Sequence, residues 1–227
     1  MLPFLLTALL PRLPARGRSW LEAEMASMMP GRPADEIRRD YDAASRHAGR
    51  VELKLAEDEI QRGRVLDADV SFSKWTTDDA ARAALLLMLA KESPAQFQDV
   101  AIACYDEGDA RAQQSWLRAL PVLPQPERFL SIAIDACRIG NVQMFEAIAC
   151  ENPYPARYFP DRNFNQLVMK ALSNGIALSR IVGLSNRLNS DLARMAGDYA
   201  AERKAAGRSA PPDVALVLAP AKTVTAS

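Results

Sequence analysis

At 227 residues, 49% hydrophobic and 25% charged, the chain is long enough to bury a sizeable core and has the composition of a soluble globular protein. Its 28 basic residues balance 28 acidic ones, which excludes a net field drawing the whole molecule to nucleic acid or to an anionic membrane and makes any anion site local. Cys104, Cys137 and Cys150 are an odd number, each inside an apolar helical stretch, and read as buried core thiols of a reducing compartment rather than as a disulfide or metal set.

In chain order, Met1 to Leu10 (MLPFLLTALL) imitates the apolar core of an export signal. No basic residue precedes it, prolines 11 and 14 follow it, and it is far shorter than the roughly 20 apolar residues that span a bilayer. We expect a short helix packed on the helix near Arg18 to Met28, no stable membrane insertion and a cytoplasmic location. Pro33 marks a helix start ahead of Ala34 to Ala48, closed by Gly49. A polar, glycine-punctuated stretch then runs from Arg50 to Lys74.

Thr76 with Asp79 three residues on resembles a capping box, and Ala80 to Ala90 (AARAALLLMLA) carries one polar residue, Arg82, so it reads as a fully buried helix. Arg82 is expected to pair with Asp78, and Arg82→Met to destabilise modestly. Ser93 and Pro94 open the next helix. Apolar stretches then end at Gly108-Asp109, Gly140-Asn141 and Gly175, recurring at about the length of a helical hairpin. Glycine suits the left-handed residue past a helix end, and Asp or Asn after it caps the next helix. The expected fold is therefore all-α, with antiparallel helical hairpins stacked into a short α-α superhelix or HEAT-like solenoid. Residues 1–218 form one domain in this reading, and 219–227 a disordered tail.

Glu151 to Leu172 (ENPYPARYFPDRNFNQLVMKAL) is the most unusual segment, with Tyr154, Tyr158, Phe159 and Phe164 beside Pro153, Pro155 and Pro160. Phe164, Leu167, Val168, Ala171 and Leu172 make one helical stripe facing the core, with Asn165 at its border. Asp161 is a plausible N-cap, so first-turn amides and Arg162 would face one spot. The ligand-binding candidates are Tyr154, Arg157, Tyr158, Arg162, Asn163 and Asn165, on an ordered loop from Asn152 to Gln166 that rims the principal pocket. The competing reading is that the loop only packs its rings under the helices and satisfies buried backbone.

Other signals fail on inspection. Asp78-Asp79 and Asp106, Glu107, Asp109 suggest the aspartate-rich magnesium sites of prenyl-diphosphate enzymes, but the first pair is better used at a helix N-terminus and the second group surrounds a helix end. His47, the only histidine, has no ligand partner at metal spacing and reads as a surface residue. Ser185 in GLSNR lacks the second glycine of a nucleophile elbow. No catalytic residue, metal ligand or cofactor is expected.

NPYPARYFPDRNFNQLVMKAL, followed by Arg180 to Leu184 (RIVGL), Leu192 to Met195 (LARM), Asp198 to Arg203 (DYAAER), Ala206 to Arg208 and Pro211 to Asp213, resembles the C-terminal signature of the EboA-domain family. Trp75 to Arg82 (WTTDDAAR) and the leucines after it are similar to that family's central helix, so the likeness runs from Trp75 to Asp213. It implies a cytoplasmic bacterial protein encoded beside a UbiA-type prenyltransferase, a sugar-phosphate-isomerase-like barrel, a metal-dependent hydrolase and a dehydroquinate-synthase-like enzyme. Such clusters serve the processing or export of secondary-metabolite precursors. No activity of the family itself comes with the resemblance.

Two functions remain open at this level. One is a non-catalytic accessory protein or scaffold that binds a partner enzyme of the cluster or carries a small anionic or aromatic metabolite. The other is an enzyme acting on such a metabolite through Arg162, Tyr158 and Asn163.

Overall fold

The computed structural model describes residues 1–218, so the tail expected over 219–227 lies outside the described residues. It is all-α, with thirteen α-helices and short 3-10 turns among those residues and one isolated antiparallel bridge, Glu52 to Thr76. The chain forms two compact units, Met1–Asn152 and the residues from Pro153 on.

The first unit contains α1 (Leu2–Leu9), α2 (Ala15–Ser27), α3 (Ala34–Ala48), α4 (Glu57–Leu66), α5 (Thr77–Glu92), α6 (Pro94–Asp106), α7 (Ala110–Ala119), α8 (Leu130–Ala136) and α9 (Val142–Ala149). The apolar run that reads as a buried helix is α5, and it is the axis of the unit, packed against α1, α3, α6 and α7. From Ala80 to Leu86 every residue is buried. The amphipathic helices around it turn an apolar stripe inward, as burial of such a stripe requires. The Tyr41 hydroxyl of α3 donates to the Ala112 carbonyl at 3.1 Å, and the Trp116 indole of α7 to the Ala101 carbonyl at 2.8 Å, so the large polar-tipped rings leave no orphan donor. All three cysteines are free and buried, and burial pushes the Cys104 thiol up to about 12.

Local expectations are met unevenly. Leu5, Ala8 and Leu9 of α1 are buried, but α1 packs chiefly on α5 rather than on α2. Gly49 ends α3 with φ +74°, and Asp109 and Asn141 cap α7 and α9 through their carboxylate and amide oxygens. Gly175, past the helix Asp161–Ser173, has φ +70°. Gly108 and Gly140 are not left-handed; at Gly108 a Cβ would meet the Cys104 carbonyl oxygen at 2.5 Å, whereas one at Gly140 would meet nothing within 4 Å. His47 is half-buried rather than exposed, its ring stacked 4.9 Å from that of Trp20. Burial and the nearby Arg16 and Arg46 charges lower its pKa.

The stretch from Arg50 to Lys74 leaves the helical core and returns to it. The Leu53 amide donates to the Trp75 carbonyl at 2.9 Å and the Thr77 amide to the Val51 carbonyl at 2.8 Å, tying the two ends together. Between them lies α4, in which only Gly63 is buried.

The second unit contains α10 (Tyr154–Tyr158), α11 (Asp161–Ser173), α12 (Ser190–Ala205) and α13 (Val214–Leu218). Phe164, Leu167, Val168, Ala171 and Leu172 are all buried, as their spacing predicts. After Gly175 the chain makes two 3-10 turns, Leu178–Arg180 and Leu184–Asn186, before α12 begins, so this glycine does not close a tight helical hairpin as the other two do. α11 and α12 nevertheless pack on each other.

Candidate functional site

The densest polar cluster lies at the N-terminus of α5. Thr76 caps that helix, and Asp79 accepts from the Thr76 amide at 2.9 Å, one half of the capping box expected from the spacing. Asp78 and Asp79 are both fully buried. Asp78 accepts from Arg82 Nη1 at 2.9 Å, from Ser45 Oγ at 2.7 Å, and from Arg111 Nε and Nη2 at 2.8 and 2.7 Å. Asp79 accepts from Arg111 Nη2 and Ser115 Oγ, each at 2.7 Å. Arg82 also donates to the Tyr41 carbonyl at 3.0 Å and lies 5.4 Å from the Tyr41 ring centre.

Burial alone would raise the Asp78 pKa, but the Arg111 and Thr76 hydrogen bonds and the Arg111 charge outweigh it and hold the carboxyl well below the usual range. Every carboxylate oxygen of the pair is therefore already coordinated by guanidinium, hydroxyl or amide groups, which is why these aspartates do not present a metal-binding face. Arg118 sits 3.8 Å from Asp79, and its Nη1 is buried with no hydrogen-bond partner. Desolvation lowers its pKa. Among the described residues no cluster of three His, Cys, Asp or Glu side chains is placed to hold a metal ion.

The aromatic, proline-rich segment divides its candidates between core and surface. Tyr154 is buried, with its ring 4.8 Å from Tyr158 and 6.2 Å from Phe159. Tyr158 and Asn163 are half-buried, and Arg157 and Arg162 are exposed. Asn165 is buried and makes a reciprocal amide pair with Asn189, 3.0 Å in each direction, while the Asn189 oxygen also caps α12. The segment is less irregular than its prolines suggest, since Tyr154–Tyr158 closes one helical turn. Asp161 is the first residue of α11, and Pro160 holds the cap position.

Arg187 organises this segment and was not visible as a site residue. Its guanidinium lies 4.7 Å from the Phe164 ring centre, donates to the Phe159 carbonyl at 2.7 Å and to the Ala156 carbonyl, and pairs with Asp161 at 2.9 Å. The readable signal was the pair of carbonyls that a proline-rich turn cannot satisfy from its own amides. A second feature outside the expected site is a cleft of about 400 Å³ in the first unit, between α4 and residues 68–73.

A family model described as metabolite traffic protein EboA matches residues 2–218, and the chain belongs to that family. The match includes the N-terminal residues before Trp75 that the quoted motifs do not reach. Comparison with curated proteins and with solved structures finds no match. No helix among the described residues is long and apolar enough to cross a membrane.

Proposed function

With that membership as premise, we propose that this chain is a non-catalytic helical accessory protein of a pathway that processes or exports secondary-metabolite precursors. It binds a partner enzyme or carries a small anionic or aromatic metabolite. The observation that supports this reading best is the pairing of Asp78 and Asp79. These are the carboxylates most suggestive of chemistry, and their oxygens are engaged by Arg82, Arg111, Thr76 and Ser115, so the cluster stabilises α5 rather than facing a substrate. The free thiols of Cys104, Cys137 and Cys150 are consistent with a cytoplasmic setting.

In this proposal the stacked hairpins supply the scaffold, and the contact surface is the 152–166 segment. Arg157 and Arg162 offer exposed cations, Tyr158 and Asn163 a half-exposed ring and amide, and Tyr154 and Asn165 hold that surface from behind. The test is affinity capture of the tagged chain from its native host, with proteins and extracted metabolites identified by mass spectrometry. Arg162→Ala with Asn163→Ala should abolish retention of the captured species at an unchanged melting temperature. A large fall in melting temperature with retention intact would show that the segment only packs the fold, and turnover of a captured metabolite would favour the enzyme reading.

A further inference from the structure

The excursion between Arg50 and Lys74 has the attributes of a container rather than of a core. Its ends are pinned by the backbone bonds of Leu53 and Thr77. Its helix, α4, buries only Gly63, where a Cβ would lie 3.2 Å from Phe4 Cζ and 3.6 Å from Phe72 Cε2. Glycine there lets α4 approach an aromatic floor closely while the space beside it stays unfilled. That space is about 400 Å³, within the roughly 300–1,000 Å³ of ordinary small-molecule sites, with apolar walls from Leu55, Ile60, Val70 and Phe72.

The rim is held by polar bonds instead of packing. The Glu59 carboxylate accepts from the Ala56 amide at 2.8 Å and from Arg12 Nη1 at 3.0 Å, and Arg12 Nη2 donates to the Lys54 carbonyl at 2.8 Å. Lys54 itself has φ +34°, a conformation unfavourable for a residue with a Cβ and one that recurs at ligand clamps. Two cations line the cleft. Lys54 is loosely paired with Glu52 at 3.7 Å, whereas Arg64 is exposed and makes no ion pair or hydrogen bond among the described residues. Glu52 is thus matched by Lys54, and Asp69, the other acidic residue of the wall, has partners of its own.

We propose that this cleft binds a small amphiphilic anion, its apolar body against Ile60, Val70 and Phe72 and its carboxylate, sulfonate or phosphate at Arg64 and Lys54. The proposal rests on the metabolite-carrying half of the function proposed above and uses none of the residues of the 152–166 segment.

The test uses 8-anilinonaphthalene-1-sulfonate, an aromatic body with one sulfonate, titrated by fluorescence and then competed with decanoate or decan-1-ol. One probe should bind per chain, and decanoate should displace it better than decan-1-ol. Ala68→Trp, at an exposed wall position, should weaken the probe at least about tenfold with the melting temperature unchanged. Ser71→Phe serves as the second cavity-filling variant should the first misfold. Arg64→Glu should weaken decanoate about tenfold and leave decan-1-ol unaffected. Equal binding to the wild type and both filled variants, or no binding at all, would overturn the site. Equal displacement by acid and alcohol with Arg64→Glu silent would overturn the anionic class. Either failure would leave the capture result for Arg162→Ala with Asn163→Ala standing by itself, so the two proposals fall separately.

Discussion

Arg82→Met tests how much the buried ionic cluster contributes to the fold. The side chain is 1% exposed and uses three nitrogens, on Asp78, Ser115, Ser45 and the Tyr41 carbonyl. Removing one member of a buried pair costs about 3–5 kcal/mol when the other is left uncompensated. Asp78 keeps Arg111, which places that contribution at the low end, but the Tyr41 carbonyl loses its side-chain donor and adds about 1 kcal/mol. Methionine replaces the aliphatic stem but not the guanidinium, so the space of that group adds a small cavity cost to the loss. The expected destabilisation is about 3–4 kcal/mol, larger than the modest effect that the sequence alone suggests. With a urea m-value of about 2 kcal/mol per M, the midpoint falls by about 1.5–2 M. Trp20, Trp75 and Trp116 all lie in the Met1–Asn152 unit, so tryptophan fluorescence reads this transition. An unchanged or raised midpoint would refute the reasoning and show that Arg82 is retained at a cost to the fold.

Two further outcomes follow from the same geometry. Because the Asp78 pKa is depressed in the folded state, its contribution is present above the unfolded value near 3.8 and is lost as the pH falls below it. The fluorescence-detected midpoint should therefore drop between about pH 5 and pH 2, and Asp78→Asn should flatten that slope; an equal slope in the variant would assign the acid sensitivity elsewhere. Arg187→Met should remove the donors to the Ala156 and Phe159 carbonyls, so amide exchange over residues 156–163 should accelerate by tenfold or more, corresponding to the roughly 1.5–3 kcal/mol of a lost charged hydrogen bond. Unchanged exchange there would show that the prolines alone hold the segment.

What was legible in the sequence follows the range of the interactions. α3 matches its expected span from Ala34 to Ala48, and the caps at Thr76, Asp109 and Asn141 were readable because a cap is decided within four residues. The stripe of α11 was readable because its period is local. Arg82 with Asp78 was readable as an i,i+4 pair, but Arg111, Ser115 and Ser45 join it from 33 to 37 residues away, and no local pattern announces them. Asn165 looked like a border residue open to a ligand; its partner Asn189 lies 24 residues on. The cleft was least legible, since it is an absence of side chains between α4 and residues 68–73, and Gly63, where α4 approaches two rings closely, reads in the sequence only as punctuation of a polar stretch.

The two polar assemblies of the first unit argue for different roles because their lone pairs are used differently. A carboxylate can hold a metal or take a proton from a substrate only through an oxygen with an open position. At Asp78 and Asp79 those positions are filled, and exposing one would separate buried charges at a cost comparable to much of a domain's stability. At the α4 excursion the charged groups are on the rim. Arg12 and Glu59, with side chains 23% and 12% exposed, anchor backbone rather than surround a reacting atom. That pair is bidentate and ties α4 to the turn that follows α1, while α4 itself buries a single glycine. The centre of this unit thus leaves no carboxylate oxygen of Asp78 or Asp79 open, while the cleft at its edge keeps its charges on the rim.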